Sequence, residues 1–403
     1  RRAGGPPHVI HLKDTNMLRL TFIFTLLFCL APFAQAAKLP QAPPDAAGMS
    51  AKSLEPIDQA VADGLAARQM PGCVVLVARQ GKTVFLRAYG NRAVEPAKVP
   101  MTVDTVFDLA SLTKPIATAT SVMLLVEDGK LVLDEPVARY LPEFAANGKD
   151  VITVSELLTH EGGLIADNPL ADFADGREKA VQRLLALKPL AKPRETFVYS
   201  DVGFMILGEL IGRVAGEDVA HFSAARIFQP LGLVETGFLP GQSLRDRAAP
   251  TERREGRWMQ GEVHDPRAYA LGGVAGHAGL FSTAEELAVY AQMIHNGGEW
   301  EGRRVMKPQT IATMTQPHKT VRGVRALGWD VRSGYSSNRG ENFSDRAFGH
   351  GGFTGTALWI DPELELTVIF LSNRVHPDGR GSVNRLAGRI GAIAAGAITP
   401  PAK

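Results

Sequence analysis

The chain has 403 residues, of which 45% are apolar and 21% charged, a composition typical of a globular protein with a large hydrophobic core. Basic and acidic residues nearly cancel, leaving a formal net charge of +2. Because no basic run is present, the sequence argues against a nucleic-acid-binding protein, which needs an electropositive surface.

Residues 1–36 have the pattern of an upstream extension followed by a secretory signal peptide. A short basic head begins at Met17, an apolar run covers 21–30, and Ala34-Gln-Ala36 is a small-x-small cleavage signal. The apolar run is too short to span a membrane comfortably. We therefore expect cleavage after Ala36, no stable membrane insertion afterwards, and a periplasmic or secreted protein. The mature chain would keep one cysteine, Cys73, which excludes an intrachain disulfide.

Hydrophobic periodicity from residue 37 onwards predicts an α+β fold. An amphipathic helix through about residue 68 precedes strands at 72–79 and 83–90. Helical patterns follow at 116–128, 153–160, 176–187, 202–215, 219–228 and 284–296. Strand patterns return at 326–331, 347–353, 356–360 and 366–371, before a closing helix at 383–398. We predict one domain over 37–403, with an α/β part at about 50–108 and 284–398 and a helical part at about 109–283.

The first candidate site is the stretch Ser111-Leu-Thr-Lys114, just before a helical pattern. If Ser111 opens that helix, residues three positions apart share a face, and the Lys114 amine lies beside the serine hydroxyl. A serine hydroxyl needs an adjacent base to act as a nucleophile at neutral pH. The spacing arises by chance about once in a chain of this length, so an N-cap serine beside a solvated lysine is the alternative.

Other motifs that would indicate a different chemistry are missing from the sequence. There is no G-x-S-x-G nucleophile elbow, no H-E-x-x-H zinc motif and no phosphate-binding loop. His160 precedes a double glycine at the end of a short helical pattern, which fits a helix C-cap. His277 lies in a glycine-rich segment before a helix, and we interpret both histidines as structural. The sequence thus predicts no metal ion and no cofactor.

Two later stretches could complete a site around Ser111. Tyr199 and Asp201 stand two residues apart just before an apolar helix, where a helix cap is the alternative interpretation. His350-Gly-Gly352 lies in a segment with four glycines in eight residues, which suggests the close approach of a ligand or a backbone. A glycine-rich turn with an incidental histidine is the alternative there.

These three stretches occur in the order of the three motifs of the penicillin-recognising serine hydrolases, which the chain resembles over roughly residues 50–395. The tyrosine in the second motif is similar to the branch of class C β-lactamases, D,D-peptidases and family VIII esterases. The resemblance implies a β-lactamase/transpeptidase-like fold, with an antiparallel sheet flanked by N- and C-terminal helices and an inserted, mainly helical region.

The resemblance also assigns expected roles to site residues. Ser111 would attack a carbonyl and form an acyl-enzyme, with Lys114 as the base or as the charge that makes Tyr199 basic. Tyr199 would relay protons to the leaving group. The oxyanion would bind the backbone N–H groups of Ser111 and of Phe353, which follows His350, Gly351 and Gly352.

Two departures from the family pattern bear on the substrate. Asp201 stands where β-lactamases of this branch usually have Asn; it cannot donate a hydrogen bond to a substrate carbonyl but could pair with Lys114 and keep it protonated. His350 stands where Lys is usual and would carry a weaker, titratable positive charge near pH 7. The segment that contains His264 and Asp265 resembles a subgroup of penicillin-binding or β-lactamase-related proteins. The two residues could contact the substrate or hold a loop in place, and we favour the second role. The departures argue against an efficient β-lactamase.

The sequence therefore predicts an exported serine hydrolase that acts through a Ser111 acyl-enzyme. Its partner would be a small molecule: an ester, a β-lactam or a cell-wall peptide, most simply a small ester or a peptidoglycan-derived D-amino-acid amide. A family VIII-like carboxylesterase and a penicillin-binding sensor without efficient turnover are the alternatives.

Overall fold

The computed structural model describes residues 4–5 and 36–399, so the predicted signal peptide lies outside the described residues except for Ala36. The strands are β1 (Gly72–Arg79), β2 (Lys82–Ala93), β3 (Val99–Pro100), β4 (Phe107–Asp108), β5 (Gly237–Phe238), β6 (Arg253–Arg254), β7 (Arg257–Trp258), β8 (Leu280–Ser282), β9 (Glu299–Trp300), β10 (Arg303–Arg304), β11 (His318–Thr320), β12 (Gly323–Arg325), β13 (Asp330–Arg332), β14 (Phe348–Gly352), β15 (Thr356–Asp361) and β16 (Leu366–Ser372).

The α-helices are α1 (Ala51–Leu54), α2 (Pro56–Ala66), α3 (Thr120–Glu127), α4 (Val154–Leu158), α5 (Arg177–Leu185), α6 (Asp201–Ala215), α7 (Val219–Ser223), α8 (Gln242–Arg247), α9 (Pro266–Ala270), α10 (Ala284–His295), α11 (Pro308–Thr315) and α12 (Asn384–Gly396). Within the described part of the chain, none of them combines the length and the apolar character needed to cross a membrane.

A nine-stranded antiparallel sheet has the order β11-β12-β13-β14-β15-β16-β1-β2-β3. Its centre joins the two ends of the domain, since Cys73 of β1 lies opposite Ser372 of β16. Successive side chains of a strand point to opposite faces. Accordingly, Val74 and Leu76 pack into the core shared with the helical region, while Val75 packs into the core under α2 and α12. The predicted α+β class is confirmed, as is an antiparallel sheet flanked by N- and C-terminal helices with an inserted, mainly helical region.

One predicted strand is placed differently. The apolar run 326–331 forms a strand only from Asp330, because Ala326 and Trp329 close a tight turn in which the Ala326 N–H donates to the Trp329 carbonyl at 3.0 Å. Gly328, with φ of 81°, permits this turn. The turn reverses the chain, so that β12, ending at Arg325, runs antiparallel to β13.

The inserted region is mainly helical but is anchored by a small sheet. Strand β4 pairs with β8, which also pairs with β5. Because β4 directly precedes the turn of Ser111, this pairing fixes the start of the candidate nucleophile's turn. Helices α3 and α6 contribute the buried apolar residues behind that turn.

Candidate active site

The segment that carries Ser111 does not begin as the predicted α-helix. It begins with a tighter 3₁₀ turn and continues as a wider π-helix. Residues Ala110–Leu112 form a 3₁₀ turn, and Lys114–Ala119 form a π-helix that leads into α3. Side chains three positions apart nearly eclipse in a 3₁₀ turn. The Lys114 Nζ donates to the Ser111 Oγ at 2.9 Å, so the structure brings the two residues together as the spacing predicts.

The residue before the nucleophile is held in a strained conformation. Ala110 has φ of 46°, a region that costs an L-residue about 1–2 kcal/mol. The buried Asp108 carboxylate accepts hydrogen bonds from the Ala110 N–H at 2.8 Å and from the His264 N–H at 2.6 Å. Burial raises the pKa of Asp108, and these two donors oppose the rise. The carboxylate therefore fixes the Ser111 turn to the loop at His264.

Lys114 is a fully buried cation. Its Nζ lies 2.6 Å from the Asp201 Oδ1 and donates to the His277 carbonyl at 3.1 Å. Burial alone would lower the pKa of Lys114, but the charge of Asp201, its hydrogen bond with Lys114 and the neighbouring Tyr199 oxygen together outweigh burial and raise the pKa above its usual value of 10.5. Asp201 begins α6 and so reaches the site from the helix behind Tyr199. The pair keeps an ammonium group beside Ser111 at neutral pH.

Tyr199 lies beside that ammonium, with its ring centre 5.0 Å from the Lys114 Nζ. Burial raises the pKa of Tyr199 above 10, while Lys114 and a hydrogen bond with Ser111 act in the opposite direction. The resting side chain is therefore a phenol, in contact with a charge that would stabilise its phenolate.

His160 lies behind Tyr199 rather than at the cavity surface. It follows α4 in the left-handed conformation, with φ of 64°, as a residue just past a helix C-cap often does. Its Nδ1 accepts from the Ser200 N–H at 3.0 Å, and its ring centre lies 4.5 Å from that of Tyr199. Burial and the nearby charges of Arg325 and Lys114 lower the pKa of His160 well below 6.5. A neutral ring thus supports Tyr199.

The prediction that His350 carries a partial positive charge near pH 7 is wrong. The side chain is buried, and burial together with the charges of Arg325 and Lys114 lowers its pKa well below 6.5. Its Nδ1 lies 2.8 Å from the Gly351 carbonyl, so the neutral ring carries its proton on Nδ1. At pH 7, His350 offers a neutral Nε2 acceptor where the family pattern has a lysine cation.

The strand after His350 is tied to the nucleophile's segment. Thr354 Oγ1 donates to the Asp108 carbonyl at 2.7 Å, and Thr356 Oγ1 donates to the Leu109 carbonyl at 3.0 Å. A Cβ at Gly352 would collide with Leu109 and Thr356, so only glycine fits there. These contacts hold the Phe353 end of β14 against the Ser111 turn, as a shared oxyanion site requires.

Asp265 has a structural task beside the site. Its Oδ1 accepts from the Arg267 and Ala268 N–H groups at the start of α9 and lies 2.8 Å from the His277 Nε2. Asp201, Asp265 and His277 have potential metal-ligand atoms within 4.8 Å of one another. The Lys114 ammonium is already in contact with the Asp201 carboxylate there. The Lys114 ammonium therefore already supplies a positive charge to this cluster of potential metal ligands.

A cavity of about 1190 Å³ opens over these residues. Its wall includes residues predicted from the sequence: Ser111, Tyr199, Asp201, His264, Asp265, His277, His350, Gly351, Gly352 and Phe353. Sequence reasoning missed Arg325, Tyr335 and Glu252 in the same wall. Arg325 directly precedes an apolar run, and nothing in the sequence distinguishes it from a surface arginine at a strand end.

Comparisons with known proteins find similarity over most of the chain. A family model described as Beta-lactamase matches residues 57–392. An N-acetylmuramyl-L-alanine amidase of Bacillus subtilis (strain 168) is 32% identical, over 88% of this chain and 91% of that protein. A protein of Escherichia coli (strain K12), provisionally named D-alanyl-D-alanine carboxypeptidase, is 31% identical over 89% and 92%. The solved structure of a penicillin-binding protein homologue from Caulobacter crescentus matches with a TM-score of 0.68 and 23% identity, over 86% of this chain and 99% of that one.

Proposed function

Because the chain belongs to the beta-lactamase family, we propose that it is an exported serine amidase that cleaves an amide bond of a peptidoglycan-derived fragment through a Ser111 acyl-enzyme. The observation that carries the proposal is the contact of one buried ammonium, Lys114, with both the Ser111 hydroxyl and the Asp201 carboxylate. A fixed positive charge beside Ser111 favours the loss of the hydroxyl proton, which a serine nucleophile must give up.

In the proposed reaction Tyr199, rather than Lys114, takes the proton from Ser111. Lys114 is held as an ammonium by Asp201 and so has no free pair to accept a proton. The Tyr199 phenolate would accept the Ser111 proton as Oγ attacks the carbonyl, and the resulting oxyanion would bind the N–H groups of Ser111 and Phe353. The phenol would then protonate the leaving nitrogen as the C–N bond breaks. The regenerated phenolate would then take a proton from water as the water oxygen attacks the acyl carbonyl. As the bond between the acyl group and the Ser111 Oγ breaks, the Tyr199 phenol would return that proton to Ser111.

The substrate class comes from the relatives and from the size of the site. The Bacillus subtilis relative is named for cleavage of the bond between N-acetylmuramic acid and L-alanine, and the Escherichia coli relative for removal of D-alanine. Both names describe amide bonds of cell-wall fragments. A cavity of about 1190 Å³ has room for a fragment larger than a short-chain ester. The signal-like pattern of residues 17–36 adds the expectation that the enzyme meets this substrate outside the cytoplasm.

A substrate panel tests the proposal. The purified protein and its Ser111→Ala variant would be given N-acetylmuramyl-L-alanine, acetyl-D-alanyl-D-alanine, nitrophenyl acetate and nitrocefin, with intact-protein mass spectrometry to detect an acyl-enzyme. We expect turnover of at least one cell-wall amide that Ser111→Ala loses and that Ser53→Ala, an exposed serine on α1, retains.

Other outcomes assign the alternatives. Turnover of nitrophenyl acetate alone would make the protein an esterase. A stoichiometric acyl-enzyme without turnover would make it a sensor. Full hydrolysis by Ser111→Ala would overturn the site itself.

A further inference from the structure

Arg325 is a buried guanidinium whose N–H groups have no hydrogen-bond acceptor in the described part of the protein. Its side chain is 0% exposed, at the end of β12. No acceptor among the described residues satisfies its Nε, Nη1 or Nη2. A buried charged group without hydrogen bonds is strongly disfavoured, and arginine cannot lose its charge to escape that cost. A structural arginine would have its donors satisfied by carbonyl or carboxylate oxygens.

The nearest carboxylate does not fill this role. The Asp330 Oδ1 lies 3.5 Å from the Arg325 Nη1, outside hydrogen-bond geometry, and the Asp330 Oδ2 instead accepts from the Ser336 hydroxyl at 2.7 Å. On another side, the Phe197 ring centre lies 5.9 Å from the guanidinium carbon. Asp330 therefore balances the charge of Arg325 without occupying its planar fork of donors.

The guanidinium lines the same cavity as the proposed nucleophile. His350, on the adjacent part of the wall, is neutral and accepts rather than donates at Nε2. Lys114 is already in contact with Asp201. Arg325 is therefore a buried cation of this wall whose donors find no acceptor among the described residues and remain free for a ligand.

The position of Arg325 selects one half of the substrate. Arg325 lies opposite Asp330, which pairs with Gly349 of β14, whereas the oxyanion donor Phe353 follows the other end of that strand. Arg325 and Tyr199 line the same cavity, and the Phe197 ring 5.9 Å from the Arg325 guanidinium belongs to the residue two positions before Tyr199. Because Tyr199 is the proposed proton donor to the leaving nitrogen, a group bound by Arg325 belongs to the leaving half. The neighbouring Asp330 would repel a dianion such as a phosphate monoester, so the fitting group is a planar monoanion.

We propose that Arg325 binds a carboxylate on the leaving amino acid through the donors that no described protein group occupies. This proposal rests on the proposed function, because it names the feature that the amide substrate must carry. The scissile bond would then be the one before an amino acid with a free α-carboxylate. Arginine suits this task better than lysine, since its two parallel N–H groups match the two carboxylate oxygens.

Paired substrates that differ only in that carboxylate test the proposal. The pairs are N-acetylmuramyl-L-alanine with its alaninamide, and acetyl-D-alanyl-D-alanine with its C-terminal amide. The wild type should cleave the acid of its preferred pair with a kcat/KM roughly 10- to 100-fold above that of the amide, the range expected for charge-assisted hydrogen bonds. In Arg325→Gln the ratio should fall to within about threefold. Arg332→Gln, which removes an exposed arginine on the next strand, should keep the wild-type ratio.

Two further measurements keep the test decisive if Arg325→Gln does not fold. Arg325→Lys keeps the charge but not the fork and should lose part of the preference. Ser111→Ala, which cannot turn over, should bind N-acetyl-D-alanine at least tenfold more tightly in calorimetry than N-acetyl-D-alaninamide.

The outcomes separate this proposal from the proposed function. Equal cleavage of acid and amide by an active, Ser111-dependent enzyme would overturn the role of Arg325 and leave the amidase intact. Selective binding of the acid without cleavage of any amide would support Arg325 and overturn the amidase. Retention of the acid preference in Arg325→Gln would also overturn the role of Arg325.

Discussion

Replacing Asp201 with asparagine should destabilise the protein by about 3–5 kcal/mol, because the change leaves Lys114 buried without its counter-ion. The two charges lie 2.6 Å apart, and Lys114 has no exposed surface on which water could replace the lost contact. Two neutral acceptors remain, the Ser111 Oγ at 2.9 Å and the His277 carbonyl at 3.1 Å. These acceptors place the expected cost near the lower end of that range.

The sign of the pH dependence follows from the raised pKa of Lys114. A lysine whose folded-state pKa lies above its unfolded value contributes stability that is fully present below pH 10.5 and is lost above it. At pH 7 the wild-type pair is therefore at full strength. Urea unfolding of wild type and Asp201→Asn at pH 7, followed by intrinsic fluorescence, measures the difference.

Asp345→Asn is the matched control. It removes a carboxylate that pairs with Arg332 at 2.8 Å, but both side chains are exposed to solvent. Exposed pairs contribute little because water and salt screen them. If Asp201→Asn unfolds at the same urea concentration as Asp345→Asn, the assignment of a buried, charged Lys114 is refuted.

The Asp201→Asn substitution would also bring an amide donor into the site, so nitrocefin hydrolysis should rise. An unchanged rate of nitrocefin hydrolysis would contradict the argument that the site lacks a hydrogen-bond donor at this position.

Three further predictions concern the oxyanion strand, the proton carrier and the buried histidines. Gly352→Ala should lower kcat for the amide substrate about 100-fold or more by displacing the oxyanion donors, whereas Gly212→Ala, in an open helix position, should keep activity and add roughly 0.5–1 kcal/mol of stability. Tyr199→Phe should lower kcat/KM by about 10²–10⁴, and the wild-type rate should rise from pH 7 to 9, since a pKa above 10 leaves little phenolate; a flat profile would contradict this. His160 and His350 have folded-state pKa values below the unfolded value of 6.5, so stability should be lost as the pH falls below 6.5, by up to about 1.4 kcal/mol per pH unit for each histidine; His350→Gln should show a shallower loss in urea titrations between pH 7 and 5.

The sequence by itself determined the fold class and the order of the three motifs. Hydrophobic periods of 2 and 3.6 residues predict the strands and the helices. The contact between Ser111 and Lys114 depends only on a spacing of three residues within one turn. The strand at 72–79 and the helix at 202–215 lie within one residue of their predicted limits. The strand predicted at 326–331 begins only at Asp330, because an apolar run does not reveal where a glycine reverses the chain.

Only the tertiary structure decided the ionisation of the site and the presence of Arg325 in it. His350 is neutral because β14 places it in a buried wall beside two cations, and Lys114 is charged because α6 brings Asp201 to it from a distant part of the chain. A pKa depends on burial and on charges within a few ångströms, and both come from segments that are distant in sequence. The sequence could therefore name a candidate nucleophile, but the ionisation of the residues around it depends on the folded chain.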